Sequence, residues 1–343
     1  MDINAIITAV KAGERLALAR LLTQVENDSF EGRAALDALF SHAGRAHLVG
    51  VTGSPGTGKS SLVNQLAKSF RHPADGQPEA TVAIVAVDPS SPFTGGAILG
   101  DRVRMRDLSG DPGIFIRSMA SRGALGGLAR STAAVTQVLD AAGFDIILIE
   151  TVGAGQSEVD IARLAHTTVV VEAPGMGDDI QAIKAGILEV ADILVINKAD
   201  QPGVEATERA LKTNLELAHP EKMEFCSAFG LSLGTFEPKA MWLPPVLRTI
   251  APEGSGVDAV AAAIRQHGNY LRETGEWRLR EAARLDSELY HLLQATLMFH
   301  WQETIAQGEF EVVFQQLLAR QISPQQAVTR LLEGMVTPWQ QHG

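Results

Sequence analysis

The stretch Leu48-Val-Gly-Val-Thr52 runs directly into Gly53-Ser54-Pro55-Gly56-Thr57-Gly58-Lys59-Ser60-Ser61, and helical composition follows to Phe70. An apolar strand, a glycine-rich turn closing on Gly-Lys-Ser, and a helix form the context in which G-x-x-x-x-G-K-[ST] cradles phosphate. Glycines at 53, 56 and 58 let backbone N–H groups turn inward around phosphate oxygens. The start of the helix adds the positive end of its dipole. Lys59 is placed to neutralise the β- and γ-phosphates, and the Ser60 hydroxyl to bind Mg²⁺. A chance glycine-rich turn would not be flanked by both elements.

Outward from this loop, short Val/Ile-rich runs recur at His47–Thr52, Thr81–Val87, Ile114–Arg117, Asp145–Ile149, Thr167–Val171, Ile193–Ile196 and Val246–Thr249. Several lack alternation, as strands buried on both faces do. Helical segments are expected between them at 59–70, 128–142, 178–190, 203–218 and 256–267. This alternation predicts an α/β fold: a mostly parallel sheet flanked by helices on both faces. Residues 1–44 read as an N-terminal helical segment, expected as a hairpin, and 45–269 as the phosphate-loop domain. Residues 219–244 lack any period and read as a loop or insertion. Residues 270–343 read as a helical C-terminal extension suited to self-association, with Ser323 capping a helix that begins at Pro324.

A second motif, Asn197-Lys198-Ala199-Asp200, ends the run Ile193–Ile196. A carboxylate at a strand end can accept both the ring N–H and the exocyclic amino group of guanine. Adenine presents an acceptor there and lacks that amino group, so Asp200 would reject ATP by leaving a charge unpaired. The Lys198 stem can cover the purine face. N-K-x-D by itself is often a solvated turn. Downstream of a phosphate loop, at the end of an expected strand, it predicts GTP.

Three carboxylates complete the pattern. Asp88 ends the run 81–87, Asp101 follows in Gly100-Asp-Arg-Val-Arg-Met105, and Glu150 ends the run 145–149 and begins Glu150-Thr-Val-Gly153. In an open parallel sheet that edge is where ligands bind. Mg²⁺ held among phosphates takes one or two carboxylates, directly or through water. Glu150 stands where D-x-x-G has Asp, and the Gly153 N–H is placed to sense the γ-phosphate, so that hydrolysis would release the loop.

The chain has 343 residues, with 29 Lys plus Arg against 40 Asp plus Glu, a net charge of −11. That balance argues against a basic nucleic-acid-binding domain. Cys226 is the only cysteine, so no intrachain disulfide or multi-cysteine metal site can form. The first residues lack the pattern of an export signal, and no apolar run approaches the roughly 18 residues that cross a bilayer. A cytoplasmic location is expected, with neither a nucleic-acid nor a membrane partner.

Four stretches together resemble a known family: Val87-Asp-Pro-Ser-Ser-Pro-Phe-Thr-Gly-Gly-Ala-Ile-Leu-Gly-Asp-Arg-Val-Arg-Met105, Glu150-Thr-Val-Gly-Ala-Gly-Gln-Ser-Glu158, Gly177-Asp-Asp-Ile-Gln-Ala-Ile-Lys-Ala-Gly186 and Val195-Ile-Asn-Lys-Ala-Asp200. They are similar to the MeaB/ArgK family, G-protein chaperones of adenosylcobalamin-dependent acyl-CoA mutases. The resemblance implies a homodimeric GTPase of the SIMIBI class of P-loop NTPases. Such a protein gates adenosylcobalamin loading onto a mutase such as methylmalonyl-CoA mutase, protects it and aids its reactivation. Lys59, Asp88, Asp101 and Glu150 fall on the family's nucleotide and Mg²⁺ positions. Asp178, Asp179, Gln181 and Lys184 fall on its partner-sensing switch.

Three departures from the family pattern stand out. Ala185 replaces a second Lys after Lys184. The base loop usually written Thr-Ser-Ala reads Thr249-Ile250-Ala251; Cys226-Ser227-Ala228 has the look of that loop but lies in the irregular 219–244 region. Ala154 stands where many GTPases carry a water-positioning Gln, leaving Gln156 as a candidate for that role. Slow intrinsic hydrolysis, accelerated by the mutase, is the expectation. Rival functions are an ATP-dependent kinase of a transport protein, against which Asp200 argues, and a GTPase metallochaperone for a nickel enzyme. The latter needs clustered soft or imidazole ligands, and His42, His47, His72, His166 and His219 are scattered along the chain.

Overall fold

A computed structural model describes residues 3–74, 76–89, 106–108, 110–121, 127–151, 157–175, 190–215, 242–305 and 308–333. The chain divides into two compact units, Met1–Arg284 and Leu285–Gly343.

The first unit is built on a seven-stranded sheet. Its strands are β1 (His47–Thr52), β2 (Val82–Pro89), β3 (Ile114–Ser121), β4 (Ile146–Thr151), β5 (Thr167–Glu172), β6 (Ile193–Ile196) and β7 (Val246–Arg248). They lie in the order β3-β2-β4-β1-β5-β6-β7, and every pairing is parallel. The Val/Ile runs that predict strands are therefore strands. β1, β4 and β5 are buried along their whole length, and so they show little polar alternation.

The helices of this unit are α1 (Ile3–Lys11), α2 (Arg15–Glu26), α3 (Phe30–Leu39), α4 (Lys59–Arg71), α5 (Gly127–Ala141), α6 (Ser157–Leu164) and α7 (Val257–Thr274), with a further helical stretch over 204–215. The period of two along each strand sorts the core into two faces. Val49, Val51, Ile84, Leu148, Val169 and Val195 pack with Leu62, Leu66 and Phe70 of α4 and Val260 and Ile264 of α7. Leu48, Val85, Ile147 and Ile149 pack with Val138 and Leu139 of α5, Ile161 of α6 and the N-terminal helices. Each large side chain so buried contributes ~1.5–3 kcal/mol. Gly50 lets α6 approach the middle of β1: a Cβ there would stand 2.4 Å from Ile161 Cγ2.

The N-terminal segment departs from expectation. It is three helices, not a hairpin. The second break comes at Asp28, which takes a left-handed φ of 51°, followed by Ser29, whose hydroxyl caps α3 by accepting from Gly32 N–H at 3.0 Å.

A long helix, α8 (Glu276–Thr304), begins in the first unit and continues into the second, where α9 (Glu309–Leu318) and α10 (Pro324–Glu333) follow. At α10 the Ser323 hydroxyl accepts from Gln326 N–H and the Gln326 side chain accepts from Ser323 N–H, a reciprocal cap. Trp301 Nε1 donates to the Leu331 carbonyl at 3.0 Å. Among the described residues of this unit, Val313 and Ala327 are the buried apolar ones, while Leu289, Leu293, Leu297, Phe299 and Leu318 stand half or more exposed. Among the described residues, no helix is long and apolar enough to cross a membrane.

Candidate active site

The phosphate loop leaves the C-terminal end of central strand β1 and enters α4. Its glycines do what the motif requires. Gly53, Gly56 and Gly58 have φ values of 131°, 80° and 91°, backbone that costs an L side chain free energy. Space forbids one as well: a Cβ on Gly53 would lie 2.1 Å from the Val171 carbonyl oxygen, and one on Gly58 would lie 2.5 Å from Asn197 Nδ2. Thr57 is buried and closes the turn, its hydroxyl donating to the Ser54 carbonyl at 3.0 Å. Pro55 and Gly56 are exposed at the tip, and Ser61 is exposed in the first turn of α4.

Lys59 is buried and folded back over the loop. Its ammonium donates to the carbonyls of Gly53 at 2.8 Å and Ser54 at 2.9 Å. Next to it, the Ser60 hydroxyl donates to Glu150 Oε1 at 2.5 Å. Glu150 is buried near the end of β4, paired with Val51 of β1 on one side and Ala86 of β2 on the other. Asp88 lies close to the end of β2, opposite Ala120 of β3. The loop and both acidic positions thus meet at one edge of the sheet, the C-terminal ends of its strands.

The second motif reaches the same edge from β6. Asn197 is buried, and among the described residues its side chain makes three hydrogen bonds. Its Nδ2 donates to the Thr57 carbonyl at 2.8 Å, and its Oδ1 accepts from the Thr249 hydroxyl at 3.1 Å and from Ala251 N–H at 3.0 Å. Lys198 then turns the chain through a φ of 56°. That is a strained conformation for a non-glycine residue, of the kind that collects at binding sites. Ala199 N–H donates to the Thr249 carbonyl, and Asp200 stands exposed beyond it. Thr249 and Ala251 are buried, whereas Ile250 is partly exposed. The departure at 250 therefore changes a rim side chain and leaves the bracing on both sides intact.

Sequence reasoning missed the stiffener of that last loop. Ile250 and Ser255 form an antiparallel bridge, and Gly256 has a φ of 75°, where a Cβ would stand 2.1 Å from the Arg248 carbonyl oxygen. The run Gly254-Ser255-Gly256 was its only signal in the sequence. Asp101, Gly153, Ala154, Gln156, Asp178, Asp179, Gln181, Lys184, Ala185 and Cys226 lie outside the described residues, as do nearly all of 178–190 and 219–244.

Comparison with known proteins identifies the family and the fold. The family model described as methylmalonyl Co-A mutase-associated GTPase MeaB matches residues 18–306. A protein of Pyrococcus abyssi is 41% identical over 334 residues, 97% of each chain. The GTPase ArgK of Escherichia coli is 36% identical over 273 residues, covering 78% of this chain and 77% of that one. The mitochondrial methylmalonic aciduria type A homolog of Mus musculus is 29% identical, covering 96% of this chain and 79% of that one. A crystal structure of a LAO/AO transport system kinase superposes with a TM-score of 0.65 at 24% identity, covering 97% of both chains. At that identity the likeness carries the fold and not the activity. With the matched model spanning most of the sheet domain and reaching into the long helix, the chain belongs to the MeaB family of GTPases.

Proposed function

We propose that this protein binds GTP in the cleft between the 53–61 loop and the 197–200 and 249–251 loops, hydrolyses it to GDP and phosphate, and uses the cycle to gate adenosylcobalamin loading onto an acyl-CoA mutase such as methylmalonyl-CoA mutase. The observation that carries the nucleotide reading is the triple bond set of Asn197, which locks the phosphate loop to the loops that hold Asp200 and Ala251. The mutase reading is supported by the family's description and by the name of the mouse relative.

In this reading the chain's own groups divide the work. Backbone N–H groups of 53–60, at the start of α4, bind phosphate oxygens. Lys59 exchanges its two carbonyl partners for phosphate oxygens, a stronger pairing because both sides are charged. Asp200 accepts from the guanine edge while Lys198 lies along the base. Ser60 and Glu150 offer a hydroxyl and a carboxylate oxygen 2.5 Å apart, a hard-oxygen donor set that suits Mg²⁺, with Asp88 and Asp101 as further donors. Bound Mg²⁺ would neutralise charge on the β- and γ-phosphates. Gly153 senses the γ-phosphate, and Asp178, Asp179, Gln181 and Lys184 pass the state to the mutase.

A homodimer belongs to the same proposal. It is supported by the apolar face of α8, where Leu289, Leu293 and Leu297 recur every four residues and stay at least half exposed.

The test is co-purification with candidate mutases in the presence of GDP or of a non-hydrolysable GTP analogue. The complex is expected to depend on which nucleotide is present, and GTP turnover to rise when the mutase is added. Equal recovery and equal turnover in all conditions would refute the chaperone reading.

A further inference from the structure

The sheet edge opposite the phosphate loop carries a second buried polar cluster that nucleotide chemistry does not use. His47 opens β1, Thr167 opens the neighbouring β5, and Asp192 immediately precedes β6. His166, Thr167, Asp192 and His267 are each less than 5% exposed, and His47 only 6%. His47 Nε2 lies 2.6 Å from the Thr167 hydroxyl, which lies 2.8 Å from His267 Nδ1 of α7. His267 Nε2 faces Asp192 Oδ1 at 3.4 Å.

The start of α8 closes over this cluster with one face. Trp277, Arg280, Glu281 and Arg284 are spaced i, i+3, i+4, i+7 and so lie along one helical stripe. Arg280 donates to both oxygens of Asp192 at 2.8 Å and to the His166 carbonyl at 2.7 Å. Glu281 accepts from His166 Nε2 at 2.7 Å and from Arg284 at 2.9 Å. The Trp277 ring stacks on His166 with centroids 3.8 Å apart, and the Arg272 guanidinium lies 4.1 Å over that indole. Asp192 also accepts from Thr168 N–H, and its carbonyl accepts from Trp242 Nε1.

This geometry fixes proton positions. His166 Nδ1 accepts from Leu48 N–H at 3.1 Å, so the ring's single proton sits on Nε2 and points at Glu281. A second proton would face a backbone donor. The Thr167 hydroxyl has one proton, so at most one of its two flanking rings can accept from it. The His47 and His166 rings are 6.2 Å apart, with Arg272, Arg280, Arg284 and the His267 ring around them and, among the described residues, Glu281, Asp192 and Glu276 as counter-charge.

We propose that this cluster is an acid-released latch: with His47 and His166 neutral it fastens the first two turns of α8 to the sheet edge, and protonation of those rings unfastens it. The latch acts at the root of the helix through which the chain continues to α9 and α10. It stands independently of which nucleotide the cleft takes.

Burial holds both imidazoles below the ordinary histidine value of 6.5, helped at His47 by His166, Arg272, His267 and Arg280, and at His166 by Arg284 and Arg280 against the opposing pull of Glu281. The latch is therefore at full strength above that pH and weakens as pH falls below it. Asp192 is held below its usual range by Arg280 despite its burial, and Glu281 is brought down to about 2 by His166 and Arg284 despite its own. Both carboxylates stay charged across the window in which the histidines titrate.

The test is amide hydrogen exchange on the full chain without nucleotide at about pH 7.5 and about pH 5.5, corrected for intrinsic rates. His47 is held well below 6.5, so at the lower pH that ring favours the open form by roughly tenfold, and segments 47–49, 166–168 and 276–284 are expected to exchange at least roughly tenfold faster while β2 is unchanged. His166→Gln, which can still donate to Glu281, is expected to lose the part of that acceleration that the His166 ring supplies. Unchanged protection of 276–284 at the lower pH, or equal acceleration across β2, would overturn the latch. Should the variant fail to fold, the wild-type comparison decides alone.

Discussion

Asn197 donates from its side-chain amide to the Thr57 carbonyl at 2.8 Å, a bond that spans 140 residues of sequence and joins the loop after β6 to the loop before α4. Both partners are buried. On the proposed reading, base and phosphate contacts must be held at a fixed separation, and this bond ties together the two loops that would make them. Asn197→Ala would strand the Thr57 carbonyl, the Thr249 hydroxyl and the Ala251 N–H. At ~1–3 kcal/mol for each buried orphan, partly relieved by water, a loss of about 3 kcal/mol in urea unfolding is expected. Nucleotide affinity should fall for GTP and GDP alike.

A change at Glu150 would, on the proposed reading, separate binding of nucleotide from binding of metal. Glu150→Gln keeps an acceptor for the Ser60 hydroxyl but removes the charge. Binding of a fluorescent GDP without Mg²⁺ should change little, while the gain in affinity on adding Mg²⁺ should shrink by roughly tenfold or more. A variant with full Mg²⁺ dependence would remove Glu150 from the donor set.

Gly268 sets helix propensity against packing. It lies inside α7, where Ala is ordinarily better by about 1 kcal/mol. Its added Cβ would meet the buried His47 ring at 2.7 Å from Cε1 and 2.9 Å from Nδ1. Overpacking of this kind costs about 1–3 kcal/mol. Thermal unfolding of Gly268→Ala should therefore show a net loss of stability. A rise in Tm would mean that the His47 ring moves freely.

Stability in acid should carry the signature of Glu281. Its folded value of about 2 lies below the ordinary 4.5, so its contribution is complete above 4.5 and is lost as pH falls toward 2. Glu281→Gln is expected to flatten that acid limb of the stability curve and, because Glu281 raises the His166 ring, to deepen the histidine limb nearer neutrality. Denaturant midpoints measured across pH resolve the two.

How far the chain is readable without its structure depends on the range of the interactions. The strands were legible because central parallel strands are buried on both faces, which turns burial into local Val/Ile runs such as Ile146–Ile149. The phosphate loop was legible because all its geometry sits within Gly53–Ser60. The three-helix start was not, because a single Asp28 in left-handed backbone breaks the pattern without Gly or Pro to announce it. The cluster at the opposite sheet edge was also hidden. His47 meets Thr167 across 120 residues and Arg280 meets Asp192 across 88, so neither histidine nor arginine had a partner within any local window. Asn197 is legible only as the first residue of N-K-x-D, and its bracing of the phosphate loop appears only once β6 is placed two strands from β1.

Calorimetric titration of GTP and ATP into the wild-type chain and Asp200→Ala tests the base-reading carboxylate most directly. The expected result is a wild-type preference for GTP of at least roughly a hundredfold, collapsing in the variant while triphosphate binding persists through the 53–61 loop. ATP bound as tightly as GTP by the wild type, or an undiminished preference in Asp200→Ala, would contradict it.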